Sequence, residues 1–329
     1  MNLRIQALLA GILSYAPGGY DLLVRRRKAN RPNAGTVSAR YCYSVWLRHL
    51  VLANKYEATN GVPETIAEVG PGDSLGTGLA GLLSGVTKYF AFDVVHGAKT
   101  KANIKVFEEL VKLFMAKERI PDRNEFPEII TELDSYEFPS YILTDELLTK
   151  SLADSRLEMI RNELLNLGSN QQSTSKIRYA VPWTSAETIE KNSIDMIFSM
   201  SALEHIDDLN EVYRAAFHWL KVGGYMSHEI DFSSHNLARY WNGHWGYSDL
   251  LWRIMRGNKP YLINREPFSA HMRFLKQHEF NIITTLTKAR TSGISRRRLA
   301  KKFSKFSDED IAIYNAFVLA QKAKSKASG

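Results

Sequence analysis

The residues of this 329-residue chain that could do chemistry begin with a carboxylate ahead of a glycine turn. Glu68-Val69-Gly70-Pro71-Gly72-Asp73 follows the apolar segment 65–67, and Phe90-Ala91-Phe92-Asp93 comes about twenty residues later. The glycines let the backbone bend sharply and approach a ligand, and an acid after a second strand suits ribose hydroxyls. The pattern predicts a nucleoside site in which Asp93 binds the ribose.

The carboxylate before the turn narrows the kind of nucleoside. A dinucleotide places its pyrophosphate at such a turn, where Glu68 would oppose it, whereas a ligand with an amino-acid tail and a sulfonium tolerates the acid. Here the chain resembles the class I S-adenosylmethionine-dependent methyltransferases, whose first motif is an acid, any residue and Gly-x-Gly-x-Gly. Ser74 replaces the third glycine. The resemblance implies S-adenosylmethionine (SAM) as cofactor, with these binding residues: Glu68, Gly70, Gly72, Asp73, Asp93, Trp183 and Ser199.

The resemblance covers residues 61–320 and includes Ala202-Leu203-Glu204-His205-Ile206 after a strand at 194–199. It implies a Rossmann-like, doubly wound α/β sheet of seven mostly parallel strands with an antiparallel last strand. Segments 38–50 and 227–231 are also similar to methyltransferases of bacterial surface-glycan synthesis. This similarity implies a sugar or glycan precursor, or another small molecule, as the acceptor.

Titratable residues gather where the fourth and fifth strands should end, at the ligand-binding edge of such a sheet. O-methylation by direct displacement needs aligned reactants and a base for the hydroxyl proton, and histidine suits that role at neutral pH. The candidate catalytic residues are His205, His228, Asp231 and His235, with His205 favoured. Because strand alternation puts His228 and Glu229 on opposite faces, we expect no metal.

The remaining pattern predicts a helical extension over residues 1–60, a methyltransferase domain over 61–320 and a disordered tail over 321–329. A helix at 3–14 either docks on the domain or lies against a membrane surface as a peripheral contact. Between the second strand and the third, which begins at Ile177, an insertion of about 100–175 holds helices at 101–116, 144–152 and 157–167. We expect this insertion to form a lid or a wall of the acceptor pocket.

Further along the chain, the pattern predicts a helix at 209–220 ended by Gly223-Gly224, strands at 225–230 and 280–287, and a last strand at 311–320. Cys42 is the only cysteine, so no disulfide within the chain and no cysteine-based zinc site can form. This favours a cytoplasmic setting. The net charge of +8 concentrates at 25–28 and 295–302, which we interpret as solvated faces.

Three other functions remain open. An RNA methyltransferase would explain the positive charge, but Ser199-Met200-Ser201 stands where base amino-methylating enzymes carry an Asn/Asp-Pro-Pro-Tyr motif. A nicotinamide-dependent oxidoreductase is disfavoured by Glu68 and by the lack of a second mononucleotide half. A scaffold with a ligand pocket but no turnover is also compatible with the sequence.

Overall fold

The computed structural model describes residues 3–19, 35–167, 175–183 and 186–323. The basic run 25–28 and residues 324–329 of the predicted tail lie outside the described residues. Residues 321 and 322, by contrast, belong to the last strand.

A seven-stranded sheet forms the centre of the molecule. Its strands are β1 Thr65–Val69, β2 Lys88–Phe92, β3 Ile177–Ala180, β4 Ile194–Met200, β5 Leu220–Asp231, β6 Phe280–Ala289 and β7 Ile313–Lys322. They lie in the order β3-β2-β1-β4-β5-β7-β6. The first five strands are parallel, and β7 pairs antiparallel with both β5 and β6. This confirms the Rossmann-like, mostly parallel sheet with an antiparallel last strand.

The described residues contain ten α-helices. They are α1 Leu3–Leu13, α2 Ala39–Lys55, α3 Gly76–Leu83, α4 Thr100–Met115, α5 Asp145–Ser151, α6 Asp154–Leu165, α7 Leu209–Trp219, α8 Asp249–Arg256, α9 Phe268–Gln277 and α10 Asp308–Ala312. Helices α2 to α6 cover one face of the sheet, and α7, α9 and α10 cover the other. Strand alternation divides the side chains between these two cores: Ile66 points to the first and Ala67 to the second.

The helix starts follow local capping chemistry. The side chains of Ser38, Thr144 and Ser307 accept hydrogen bonds from backbone N–H groups in the first turns of α2, α5 and α10. The insertion holds α4, α5 and α6, as the helical spacing predicts. Arg156 of α6 donates to the carbonyls of Leu82, in α3, and of Val86, just after α3, so α6 is fixed to the end of that helix.

Two predicted boundaries near the end of the chain are wrong. Helix α7 ends at Trp219 and β5 starts directly at Leu220, so Gly223-Gly224 lies inside the strand. Pairing with β4 jumps from Leu220 to Tyr225, and Gly223 adopts φ +82° in the bulge between them. The segment predicted as strand from residue 311 begins as helix α10, since Ser307 caps residues 308–312. Helix α8 was not predicted.

None of the described helices is both long enough and apolar enough to cross a bilayer.

Candidate functional site

The glycine turn after β1 has the conformation that its sequence predicts. Gly70 and Gly72 adopt φ of +76° and +75°, a region that favours glycine. The Gly70 N–H donates to the carbonyl of Phe92 at the end of β2, 2.8 Å away. A Cβ on Gly70 would lie 2.6 Å from the Cβ of Ala202, so the turn packs directly on the segment after β4. Any side chain at position 70 would separate the two.

Glu68 lies beneath this turn and points into the helix layer. Alternation along β1 puts it on the same face as Ile66, under α3, and only 3% of the residue is exposed. The hydroxyl of Tyr89, from β2, donates to its Oε2. Burial raises the pKa of Glu68 to about 7, although hydrogen bonds from Tyr89, Thr77 and the Gly78 N–H oppose the shift. The structure therefore gives Glu68 contacts that hold the turn.

A short segment of the N-terminal extension covers the same turn. Thr36 lies in a 3₁₀ turn at Gly35–Val37, and its Oγ1 accepts from the N–H groups of Asp73 and Ser74 at 3.0 and 3.1 Å. Ser74 in turn donates to the Thr36 carbonyl. The serine that replaces the third glycine of the motif thus ties the turn to residues 35–37. Sequence reasoning did not find Thr36, because nothing in the local pattern links it to a turn so far along the chain.

Asp93 lies at the end of β2, beside the turn. Its Oδ1 accepts from the N–H groups of Val94 and Val95 at 2.7 and 3.2 Å. Burial raises its pKa, and the N–H groups of Val95, Val94 and Gly72 oppose that shift. Asp93 therefore lies next to Gly72 and accepts from backbone N–H groups of both the turn and the segment after β2.

Trp183 and Ser199, the other two predicted cofactor residues, lie in packed surroundings. The Trp183 ring contacts Phe92 and Trp219, with centroids 5.8 and 5.4 Å away. Ser199 is fully buried, and its hydroxyl lies 2.7 Å from Nδ1 of His228, its neighbour in the β4–β5 register. Burial lowers the pKa of His228 to about 3, so this histidine is neutral. The structure does not bring His228 to the other predicted catalytic residues.

His205, Asp231 and His235 do come together, with Glu204 among them. Nε2 of His235 lies 3.2 Å from Oδ2 of Asp231 and 3.9 Å from Oε1 of Glu204. The rings of His205 and His235 meet edge to face with centroids 4.9 Å apart. We call Glu204, His205, Asp231 and His235 the acid–histidine cluster. It lies at the carboxyl ends of β4 and β5, where ligands bind in this fold.

The backbone around the cluster is strained and firmly held. Ser201 and His235 adopt φ of +50° and +46°, a region unfavourable for residues with a side chain, and such strain concentrates at functional sites. The Ser201 N–H donates to the Glu229 carbonyl at 2.8 Å. Asn264 donates its side-chain amide to the carbonyls of Leu203 and Ile206, each at 2.8 Å. These bonds fix the 3₁₀ turn Leu203–His205 against β5.

The two carboxyl groups of the cluster have opposite protonation tendencies. Burial, and next the charge of Asp231, raise the pKa of Glu204 well above its usual value. Burial also acts to raise the pKa of Asp231, but the hydrogen bond and charge of His235 and the Ser233 donors outweigh it, so the net shift is downward. These opposite shifts favour the ionised form of Asp231 and the protonated form of Glu204, a division of roles that acid–base chemistry uses.

The cluster also has the donor set of a metal site. One ligand atom each of Glu204, His205 and His235 lie within 4.8 Å of one another. No donor among the described residues hydrogen-bonds to either Glu204 carboxylate oxygen. A histidine pair with one carboxylate suits several divalent metals. The prediction of no metal rested on the opposite directions of His228 and Glu229, and this set contains neither of those residues.

Glu229 joins the cluster's surroundings to the insertion. Its Oε1 accepts from the Ile130 N–H at 2.9 Å and from the Asn315 side chain at 3.2 Å. The loop between α4 and α5 therefore reaches the end of β5. Tyr41 of α2 is buried there, and its pKa is raised by burial and then by the charge of Glu229. The Glu229–Ile130 contact has no signature in the sequence, because it joins residues almost a hundred positions apart.

Sequence comparison matches residues 157–227 to the model of a family described as "Methyltransferase domain". The match spans β3, β4 and α7, including the 3₁₀ turn of the cluster. It supports a SAM-dependent methyltransferase. With the glycine turn and the sheet order, it also supports S-adenosylmethionine as the cofactor. A search of the curated proteins finds no match to this chain.

Solved structures similar to this chain include a SAM-dependent methyltransferase from Methanosarcina mazei, at 12% identity and a TM-score of 0.41, covering 82% of this chain and 96% of that one. Another is phosphoethanolamine N-methyltransferase 2 from Haemonchus contortus in complex with S-adenosyl-L-methionine, at 13% identity and a TM-score of 0.41. That alignment covers 91% of this chain and 60% of the other protein's length.

Proposed function

We propose that this protein transfers the methyl group of S-adenosylmethionine to a hydroxyl group of a small molecule, with a sugar or glycan precursor as the acceptor class. One observation carries the proposal: the contact between Gly70 and Ala202 joins the glycine turn to the segment that begins the acid–histidine cluster. A donor held at the turn and an acceptor held at the cluster would therefore be neighbours, as direct displacement requires.

We assign the cofactor contacts to the turn and to Asp93. Gly70 and Gly72 give the methionine portion close access to the backbone, and Asp73 lies in the same turn. Asp93 takes the ribose hydroxyls, and Trp183 borders the adenine. Glu68 and Ser199 act from the interior, Glu68 by holding the turn through Tyr89 and Ser199 through its bond to His228.

We assign the role of base to His235, with Asp231 as the group that orients it. The 3.2 Å contact between them matches the pairing of a base with a carboxylate that stabilises its protonated form. Asp231 is itself held by the N–H and hydroxyl of Ser233, at 2.7 and 3.0 Å. His205 and protonated Glu204 then face the acceptor as positioning groups. As the hydroxyl oxygen bonds to the methyl carbon, the carbon–sulfur bond breaks, and His235 takes the hydroxyl proton.

A metal-assisted transfer is the second candidate, favoured by the ligand set of Glu204, His205 and His235. A divalent cation there would lower the pKa of the acceptor hydroxyl, and His235 would be a ligand rather than the base. The two candidates differ in one observable. Transfer with a histidine base persists after dialysis against a chelator, whereas metal-assisted transfer stops and returns with added Mn²⁺, Mg²⁺ or Zn²⁺.

The test is a screen of nucleotide sugars and small hydroxyl compounds with a methyl-labelled donor. Wild-type protein should label at least one acceptor. Asp231→Asn and His235→Asn should lower the rate about 10²- to 10⁴-fold, the usual contribution of a general base, with donor affinity unchanged. His218→Asn, on α7 at the opposite end of β5 from the cluster, is the matched histidine control and should retain the wild-type rate per folded molecule. Failure of every acceptor would count against this substrate class, while calorimetric binding of the donor would still stand.

A further inference from the structure

Helix α1 is fixed to the domain by one face. A Cβ on Gly11 would lie 2.0 Å from the Ile254 carbonyl oxygen, so α1 and α8 touch backbone to backbone. The Ser14 hydroxyl accepts from the Asn258 N–H at 2.7 Å and donates to the Gly11 carbonyl at 2.6 Å. Ala7 is buried in the same contact. These contacts show that α1 packs on the domain. They account for only one face of the helix, so the other face is still available to a membrane surface.

The other face of α1 is apolar and exposed. Ile5, Leu9 and Ile12 follow helical spacing and leave 49%, 44% and 58% of their surface uncovered. Leu250 and Ile254 form a matching pair on α8, exposed to 68% and 39%. Single exposed apolar residues are ordinary, but a stripe shared by two packed helices marks an interaction surface.

A basic cleft of about 790 Å³ adjoins this stripe. Arg4, Arg239 and Arg298 line it together with Leu250 and Ile254. In the part of the chain that the structure describes, no Asp or Glu lines the cleft, and neither Arg239 nor Arg298 forms an ion pair. The cleft therefore presents positive charge beside hydrocarbon.

We infer that the α1–α8 stripe and its arginine cleft form a docking surface for the face of an anionic phospholipid bilayer. Exposed leucine and isoleucine side chains would enter the acyl boundary, and the arginines would contact headgroup phosphates, the arrangement of interfacial helices. Charge complementarity selects this occupant. A second copy of the chain would bring like-charged arginines together, whereas an anionic membrane attracts a protein of net charge +8.

The surface is connected to the acid–histidine cluster by the residues after α8. Tyr261 contacts the His205 ring, with centroids 5.6 Å apart, and Asn264 holds the turn that carries Glu204 and His205. If the cluster is the acceptor site, which rests on the proposed function, docking would hold that site near the membrane surface. The docking surface itself does not depend on that assignment.

The test is co-sedimentation of the full chain with phosphatidylcholine vesicles that either contain or lack phosphatidylglycerol. We expect binding to the anionic vesicles that weakens as salt rises. Arg239→Gln with Arg298→Gln should weaken binding about thirtyfold, since each basic residue near an anionic surface strengthens binding by a factor of about five to six. Lys101→Gln with Lys112→Gln, exposed on α4, is the charge-matched control and should bind like wild type.

The apolar part is tested separately. Leu9→Ser with Leu250→Ser should weaken vesicle binding on the order of a hundredfold, and Met115→Ser with Leu165→Ser, exposed elsewhere, should not. Thermal unfolding and S-adenosylhomocysteine binding report whether each variant is folded. No binding of the folded wild-type chain to anionic vesicles would overturn the inference. Vesicle binding that is unchanged by both the arginine and the leucine substitutions would also overturn it. So would light scattering that shows a dimer of the wild-type chain and a monomer of Leu9→Ser.

Discussion

Glu68→Gln gives the sharpest test of where the structure places the first carboxylate of the motif. The wild-type carboxyl is buried against Tyr89 and has a pKa of about 7, compared with 4.5 for an ordinary glutamate. The folded protein therefore binds more protons than the unfolded chain between these two values. Stability from this group is present below pH 4.5 and is lost as the pH rises towards 7.

The size of the effect follows from the two pKa values. Their difference corresponds to about 3 kcal/mol of unfolding free energy, an order-of-magnitude figure. Glutamine keeps the shape and a hydrogen-bond acceptor but does not titrate. The free energy of unfolding of Glu68→Gln minus that of wild type should therefore be about 3 kcal/mol higher at pH 8 than at pH 4.5, because only wild type loses stability over this range.

The assay is equilibrium unfolding in urea at several pH values, with wild type and variant side by side. Taking the difference between the two proteins removes the contributions of the other titrating groups. Glu64→Gln, an exposed glutamate just before β1, is the matched control and should show a constant difference. A difference for Glu68→Gln that does not change with pH would refute the burial of this carboxylate.

Three other changes test separate parts of the site. Thr36→Val removes the acceptor of two N–H groups in the glycine turn and should weaken S-adenosylhomocysteine binding roughly tenfold in calorimetry, whereas Thr36→Ser should preserve it. Gly78→Ala places a Cβ 2.0 Å from the Tyr89 ring, so it should destabilise the fold by about 1–3 kcal/mol or more in urea unfolding; an unchanged midpoint would contradict this contact. Tyr89→Phe should raise the pKa of Glu68 further by removing a donor, which would be seen as a wider pH window of stability loss; an unchanged window would speak against the bond.

The sheet and the turn could be predicted from the sequence because their signals are local. The apolar strand ahead of Gly70, the glycines and the acid after β2 all act within about thirty residues, the length of one strand–helix–strand unit. The helices of the insertion also follow from spacing and caps such as Thr144. The start of β5 could not be predicted in this way, because glycine commonly ends a helix, whereas Gly223-Gly224 lies in a strand bulge here.

The detailed roles within the site could not be predicted, because they depend on contacts between distant segments. The bond between Glu68 and Tyr89 is an exception that the sequence could have predicted. Alternation along β1 places Glu68 on a helix-facing side, and a tyrosine in the buried strand β2 needs a partner for its hydroxyl. By contrast, Thr36 meets the turn from the N-terminal extension, and His235 meets Asp231 only after a sharp backbone turn. Neither contact has a signature in the spacing.

Isothermal titration of the full chain with S-adenosylhomocysteine tests the central claim most directly. The glycine turn and Asp93 predict binding of one molecule per chain, with saturation and a defined enthalpy. Asp93→Ala, which removes the carboxylate assigned to the ribose, should abolish measurable binding while thermal unfolding shows that the variant is folded. A folded wild-type chain that binds neither S-adenosylhomocysteine nor S-adenosylmethionine, or an Asp93→Ala variant that binds as tightly as wild type, would contradict the account.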